Sequence, residues 1–160
     1  GPYSRRGLGA EDWEVWAAIE SLFDAGKTKM IGVSNVTADQ LTLLCVKSKH
    51  KPMVVQNRCY AAFGWDKEVR EICRTNLIIY QGFSLLTANR EVFADSAIRT
   101  MAAKYQTGSA QIVFRFSQQI GMLPLTGTTN SKHMAEDLKC ERFTLTSDEL
   151  TVIETIGQEG

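Results

Sequence analysis

Apolar residues gather in four short runs, Met30–Asn35, Met53–Gln56, Leu77–Gln81 and Met122–Leu125, and beside each stands a stretch with apolar residues at helical spacing. Such alternation predicts an α/β chain of parallel strands joined by helical crossovers. The starts of the second and third runs, Met53-Val-Val and Leu77-Ile-Ile, are apolar without a break, which suits strands covered on both faces. Trp13, Trp16, Ile19, Leu22 and Phe23 predict a helix over 11–25 that stops at Gly26. Thr37 and Gln40 form a capping box for a helix reaching about Lys49, with Leu41, Leu44 and Cys45 on one face. Pro52 enters the second strand where a missing N–H is tolerated. Asp66 is placed to cap a short helix carrying Val69, Ile72 and Cys73, and Asn76 to end it in a left-handed conformation. Residues 82–96 have no clear period and read as a long loop of the kind that carries function. Helices follow over 97–105, from a Ser109 cap to Gly121, from about Lys132, and from a closing capping box of Thr146 with Glu149.

Strand count sets the architecture. A closed (β/α)8 TIM barrel takes roughly 250 residues, and 160 residues with four strands are about half of that. The expected fold is therefore half of such a barrel: four parallel strands with flanking helices, one domain over residues 1–160. Its first and last strands would carry unpaired backbone groups, and such edges drive association. A two-fold homodimer, last strand against first strand twice over, would close eight strands into a ring.

Composition narrows the function classes. Eighteen basic and eighteen acidic residues cancel, and no stretch concentrates Lys and Arg, so neither nucleic acid nor an anionic membrane is an expected partner. No apolar run is long enough to span a membrane. Gly1–Gly7 lacks the apolar stretch of a secretory signal, and the four cysteines show no CxxC spacing, so a cytoplasmic protein with reduced thiols is expected.

In parallel α/β sheets ligands sit at the carboxyl ends of the strands. The polar residues there are Ser34, Asn35, Gln56, Ser84 and the stretch Gly127–Asn130. Asn35 and Gln56 can bond a carboxamide or a sugar, or cap their own loops. Gly127-Thr-Thr-Asn, ahead of a helix, can hold a phosphate or serve as a turn and N-cap. Glu136–Asp137 is a carboxylate pair on a helix, a ligand contact or a solvated face. The two histidines, His50 and His133, have no neighbouring acid and nucleophile to form a triad, and no metal-ligand spacing is present. His50 follows a basic helix end, where it is expected to meet free carbonyls. Gly7-Leu-Gly9 does not extend to a dinucleotide fingerprint.

In order along the chain, Glu11-Asp-Trp-x-x-Trp, Gly26-Lys, Ile31-Gly-Val-Ser-Asn, Val54-Val-Gln-Asn, Phe83-Ser-Leu-Leu, Ala110-Gln-Ile-Val-Phe-Arg-Phe and Gly127-Thr-Thr-Asn-Ser-Lys-His resemble the aldo-keto reductases from the middle of that family to its end. The resemblance implies that the four strands correspond to the family's fifth to eighth, with Gly1-Pro-Tyr just after its fourth. It implies NADP(H) as cofactor, a small carbonyl substrate and oxidoreductase chemistry. The family's catalytic Asp, Tyr, Lys and His lie on its first four strands, so no catalytic residue is assigned in this chain, and neither Tyr3 nor Tyr80 matches the catalytic motif. By resemblance, Ser34, Asn35 and Gln56 would hold the nicotinamide carboxamide, and Phe83 would stack on the ring. Ser84 and Leu86 would border the pyrophosphate. Gly127, Thr128, Thr129 and His133 would meet the 2′-phosphate, with Glu136 and Asp137 near the adenine. The family commonly has cations where Gly127 and His133 stand, so NADP preference and affinity are expected to be weakened. The implied function is a cofactor-binding reductase domain inactive alone. A non-catalytic self-association module and a portion of a full-length carbonyl reductase are the alternatives.

Overall fold

In the computed structural model of the protein the described residues are 6–158, so Tyr3 lies outside them. Helix α1 (Ala10–Asp24) precedes strand β1 (Gly32–Ser34), followed by α2 (Ala38–Lys47), β2 (Val54–Arg58), α3 (Lys67–Asn76) and β3 (Ile79–Phe83). Then come α4 (Arg90–Ala94), α5 (Ser96–Lys104), α6 (Ser109–Gln119), β4 (Leu123–Pro124), α7 (Ser131–Asp137) and α8 (Ser147–Thr155). The strands are neighbours in chain order, β1-β2-β3-β4, as the alternating pattern predicts. The chain divides into two compact units, residues 6–57 with 68–81, and residues 58–67 with 82–158.

In the first unit β1 and β2 run parallel, with Gly32 opposite Val54 and Ser34 opposite Gln56. Glycine is required at position 32, where a Cβ would lie 2.4 Å from the Val54 carbonyl oxygen. The N–H of Ile79 donates to Met53 O at 2.9 Å, which continues the same register into β3. Trp16, Ile31 and Leu44 form the core here, with Leu8, Trp13, Ile19, Phe23 and Val33 packed around them. The Thr37–Gln40 capping box opens α2 as expected.

The second unit is built on Trp65 and Phe116, both fully buried, with ring centres 5.1 Å apart. Trp65 Nε1–H donates to Ile153 O at 3.0 Å and ties the loop after β2 to α8. The N–H of Leu125 donates to Gly82 O at 2.8 Å and sets β4 beside β3.

Several local expectations change. Asn76 does not take the left-handed conformation; its side-chain amide donates back to Ile72 O at 2.9 Å and keeps it helical. The reversal falls on Leu77, at φ 58° and 92% exposed, so β3 starts two residues later than expected. Asp66 does stand directly before α3, where its capping was expected, and is itself left-handed at φ 58°. Gly108, not Ser109, is the N-cap of α6. The stretch 82–96 is not a free loop, because α4 forms within it and buries Val92 completely. His50 meets a carboxylate and not helix-end carbonyls: its Nε2 lies 2.8 Å from Asp24 Oδ1, and Lys49 Nζ lies 2.7 Å from the other oxygen. Hydrogen bonds from Lys49 and then His50 hold the Asp24 carboxyl below its usual range.

Candidate functional site at the strand ends

Side chains alternate across a strand. On β2 and β3 of the first unit, Val55, Asn57 and Tyr80 are buried, while Val54, Gln56, Ile79 and Gln81 lie on the more open face. With Gly32 and Ser34 of β1, that face carries an apolar row, Gly32–Val54–Ile79, and one step towards the carboxyl ends a polar row, Ser34–Gln56–Gln81. Gln56 Nε2 donates to Gln81 Oε1 at 3.0 Å. Ser34 Oγ donates to Gln56 O at 2.7 Å, and Asn35 Nδ2 donates to Ser34 Oγ at 3.2 Å. Ser34, Asn35 and Gln56, singled out from sequence, are therefore brought together. Gln81 joins them and was not foreseen; its signal is its place in register with Gln56. Tyr80 is buried on the opposite face.

The second unit holds the remaining candidates around two pockets. One, of about 340 Å³, is lined by Phe83, Ser84, Leu86, Phe114, Leu125 and Gly127, among others. The other, of about 380 Å³, is lined by Leu86, Gln111, Gly127, Thr128, His133, Glu136 and Asp137, among others. Leu86, Thr126 and Gly127 are common to both. Thr129 and His133 are exposed. The start of α7 is already capped: Asn130 Oδ1 accepts from the N–H of Lys132 at 2.9 Å and of His133 at 3.3 Å. A phosphate at Gly127–Asn130 would therefore meet hydroxyls and the His133 ring more than amides of that helix. Asp137 is held by Gln111 Nε2 at 3.3 Å, and Lys132 Nζ lies 3.8 Å from Glu136 Oε1. Among the described residues, no cluster of His, Cys, Asp and Glu could hold a metal ion, and no helix is long and apolar enough to cross a membrane. All four cysteines are free.

The sequence profile of the aldo/keto reductase family matches residues 10–158. The chain belongs to that family. It is 31% identical over 155 residues to aldo-keto reductase family 1 member C23 of Equus caballus, an alignment covering 90% of this chain and 48% of the relative. It is 32% identical over 156 residues to family 1 member D1 of Oryctolagus cuniculus, again 90% and 48%. The chain thus spans about half the length of the curated relatives it matches. Among solved structures, Gox0644 in its apo form superposes with a TM-score of 0.82 at 28% identity, covering 91% of this chain and 53% of that one. MGS-M4, an aldo-keto reductase from a Medee basin deep-sea metagenome library, gives 0.85 at 20% identity, covering 96% and 57%. The fold is accordingly a four-stranded part of an aldo/keto reductase TIM barrel.

Proposed function

We propose that this chain is the cofactor-binding part of an aldo/keto-reductase oxidoreductase, and that it turns over a carbonyl substrate only when a complementary half-barrel is supplied. The observation that carries this reading is the row Ser34–Gln56–Gln81, with Asn35 beside it, at the carboxyl ends of parallel strands in a chain of this family. Two carboxamides, a hydroxyl and the Asn35 amide offer both donors and acceptors, which is what a nicotinamide carboxamide needs. Phe83, with Ser84 and Leu86 beside it, offers an aromatic face next to a polar-edged pocket. Thr128, Thr129 and His133 would meet an anionic adenosine group, and Glu136 and Asp137 the adenine. NADP(H) bound there would supply the hydride.

Affinity at the anionic end is expected to be modest. The pocket lined by Thr128 and His133 has no Lys or Arg among its lining residues and includes two carboxylates. A phosphate there lacks the paired, charge-assisted bonds that an Arg provides. No side chain of the polar row is a strong acid, so proton delivery to the substrate oxygen falls to the complementary half.

In the chain alone, in our reading, a second copy takes the place of that complementary half without supplying its proton donor. Strands β1 and β4 end the sheet order, and Met30, Ile79 and Leu123 are 45%, 44% and 49% exposed. Pairing β4 of one copy with β1 of the other would cover open strand edges. Because the residues assigned to proton transfer lie outside this chain by resemblance, a homodimer of it is expected to bind cofactor without turnover. A steady-state assay of carbonyl-dependent NADPH oxidation is expected to show no rate for the chain alone. Activity is expected when a front-half polypeptide from a full-length relative is added. A rate from the purified chain by itself would overturn this assignment of roles.

A further inference from the structure

Two fully buried asparagines, Asn57 and Asn89, hold the same kind of turn in two places. After β1, Asn35 is left-handed at φ 54°, and the next residue, Val36, has both backbone groups bonded to one side chain. Its N–H donates to Asn57 Oδ1 at 3.0 Å, and its carbonyl accepts from Asn57 Nδ2 at 2.8 Å. After β3, Ser84 is left-handed at φ 57°, and the carbonyl of the next residue, Leu85, accepts from Asn89 Nδ2 at 2.8 Å. The same amide donates to Cys59 O at 3.0 Å, and Asn89 Oδ1 accepts from Ala61 N–H at 2.6 Å.

A left-handed residue other than glycine is uncommon, more so for Ser84 than for Asn35, and such a turn is fixed where its surroundings over-determine it. A buried carboxamide that replaces backbone partners does this, because releasing it would strand donors and acceptors away from water. The two left-handed residues, Asn35 and Ser84, are the ones assigned to the nicotinamide carboxamide and the pyrophosphate. Resting on that reading, we infer that Asn57 and Asn89 are positioning residues: neither is placed to touch the cofactor, and each fixes the turn that does.

The test measures binding of two probes, NADPH and adenosine 2′-monophosphate, to the full chain and to Asn57→Ser and Asn89→Ser variants. The 2′-monophosphate reports only the adenosine end, whose polar groups neither turn carries. Each variant is expected to lose about tenfold in NADPH affinity and to bind the 2′-monophosphate within about twofold of the parent. Amide hydrogen exchange on the unaltered chain gives a readout that needs no variant. Saturating NADPH is expected to slow exchange at the Val36 and Ala61 N–H groups and to leave the Glu149 N–H unchanged, since coupling between clamp and ligand is reciprocal. If the parent binds NADPH but the folded variants bind it equally well, or Val36 and Ala61 exchange unchanged on saturation, the positioning role is wrong while the cofactor reading stands. If the parent binds neither probe, both fall.

Discussion

Trp65→Ala is expected to cost about 3–5 kcal/mol of stability, a large share of what a domain of this size has. Trp65 is fully buried against Phe116, and its indole N–H donates to Ile153 O. It is also itself strained: Trp65 is left-handed at φ 55°, between Gly64 and Asp66 at 67° and 58°, residue types that tolerate that conformation. Burial of the indole and its bond to α8 offset that strain. Removing the ring leaves a cavity and takes one of two donors from the Ile153 carbonyl, which keeps the Ile156 N–H; relaxation of the left-handed loop offsets only part of that cost. Urea denaturation followed by circular dichroism measures the loss. Trp65→Phe, which restores most of the volume but not the N–H, is expected to recover more than half of it. A loss below about 0.5 kcal/mol, the usual range for a surface position, would show that the second unit is not built on this contact.

Glu149 is expected to make this chain acid-sensitive. Burial pushes its carboxyl up, but hydrogen bonds from Lys104, Tyr105 and the Thr146 N–H together outweigh that and hold it at about 2, against 4.5 for an ordinary Glu. The distances are 2.7 Å from Lys104 Nζ to one oxygen, and 2.6 Å from Tyr105 Oη and 2.8 Å from Thr146 N to the other. The folded pKa is lowered, so the unfolded chain binds the proton first as pH falls. The stabilisation is full above about 4.5 and is lost as pH drops towards about 2. Glu149→Ala removes the α8 capping box along with the Lys104 and Tyr105 contacts, and is expected to cost about 2–3 kcal/mol near neutral pH. Glu149→Gln still completes a capping box. It is expected to cost less and to flatten the dependence between about 4.5 and 2. Parent and Gln variant losing stability in parallel over that window would place the acid sensitivity elsewhere.

The architecture was legible because strand and helix periods differ and because both capping boxes carry their own signature; Thr37 with Gln40 and Thr146 with Glu149 sit where expected. The misplaced turn has a local cause. Asn76 has a residue type that suits a left-handed cap, but its side-chain bond to Ile72 O keeps it helical and the left-handed position falls on Leu77; no local pattern encodes the left-handed pair Trp65–Asp66. The candidate residues Ser34, Asn35 and Gln56 follow from strand ends alone. Gln81 needed the register. Asn57 had a signal that could have been used: next to Gln56 in a strand, it must face the other side, and a buried polar side chain there has to be bonded. Asn89 had none, because its partners Cys59 and Ala61 are distant in sequence.

The central claim is that this polypeptide retains a nicotinamide-dinucleotide site. Sedimentation velocity of the chain with NADPH, recorded at the reduced nicotinamide's own absorbance, tests it most directly. The account predicts that part of this absorbance moves with the protein boundary, at twice the 17.8 kDa chain mass, and that excess unlabelled NADP+ removes it. Absorbance that stays wholly with the free small molecule, at protein concentrations where the chain is folded, would contradict the account.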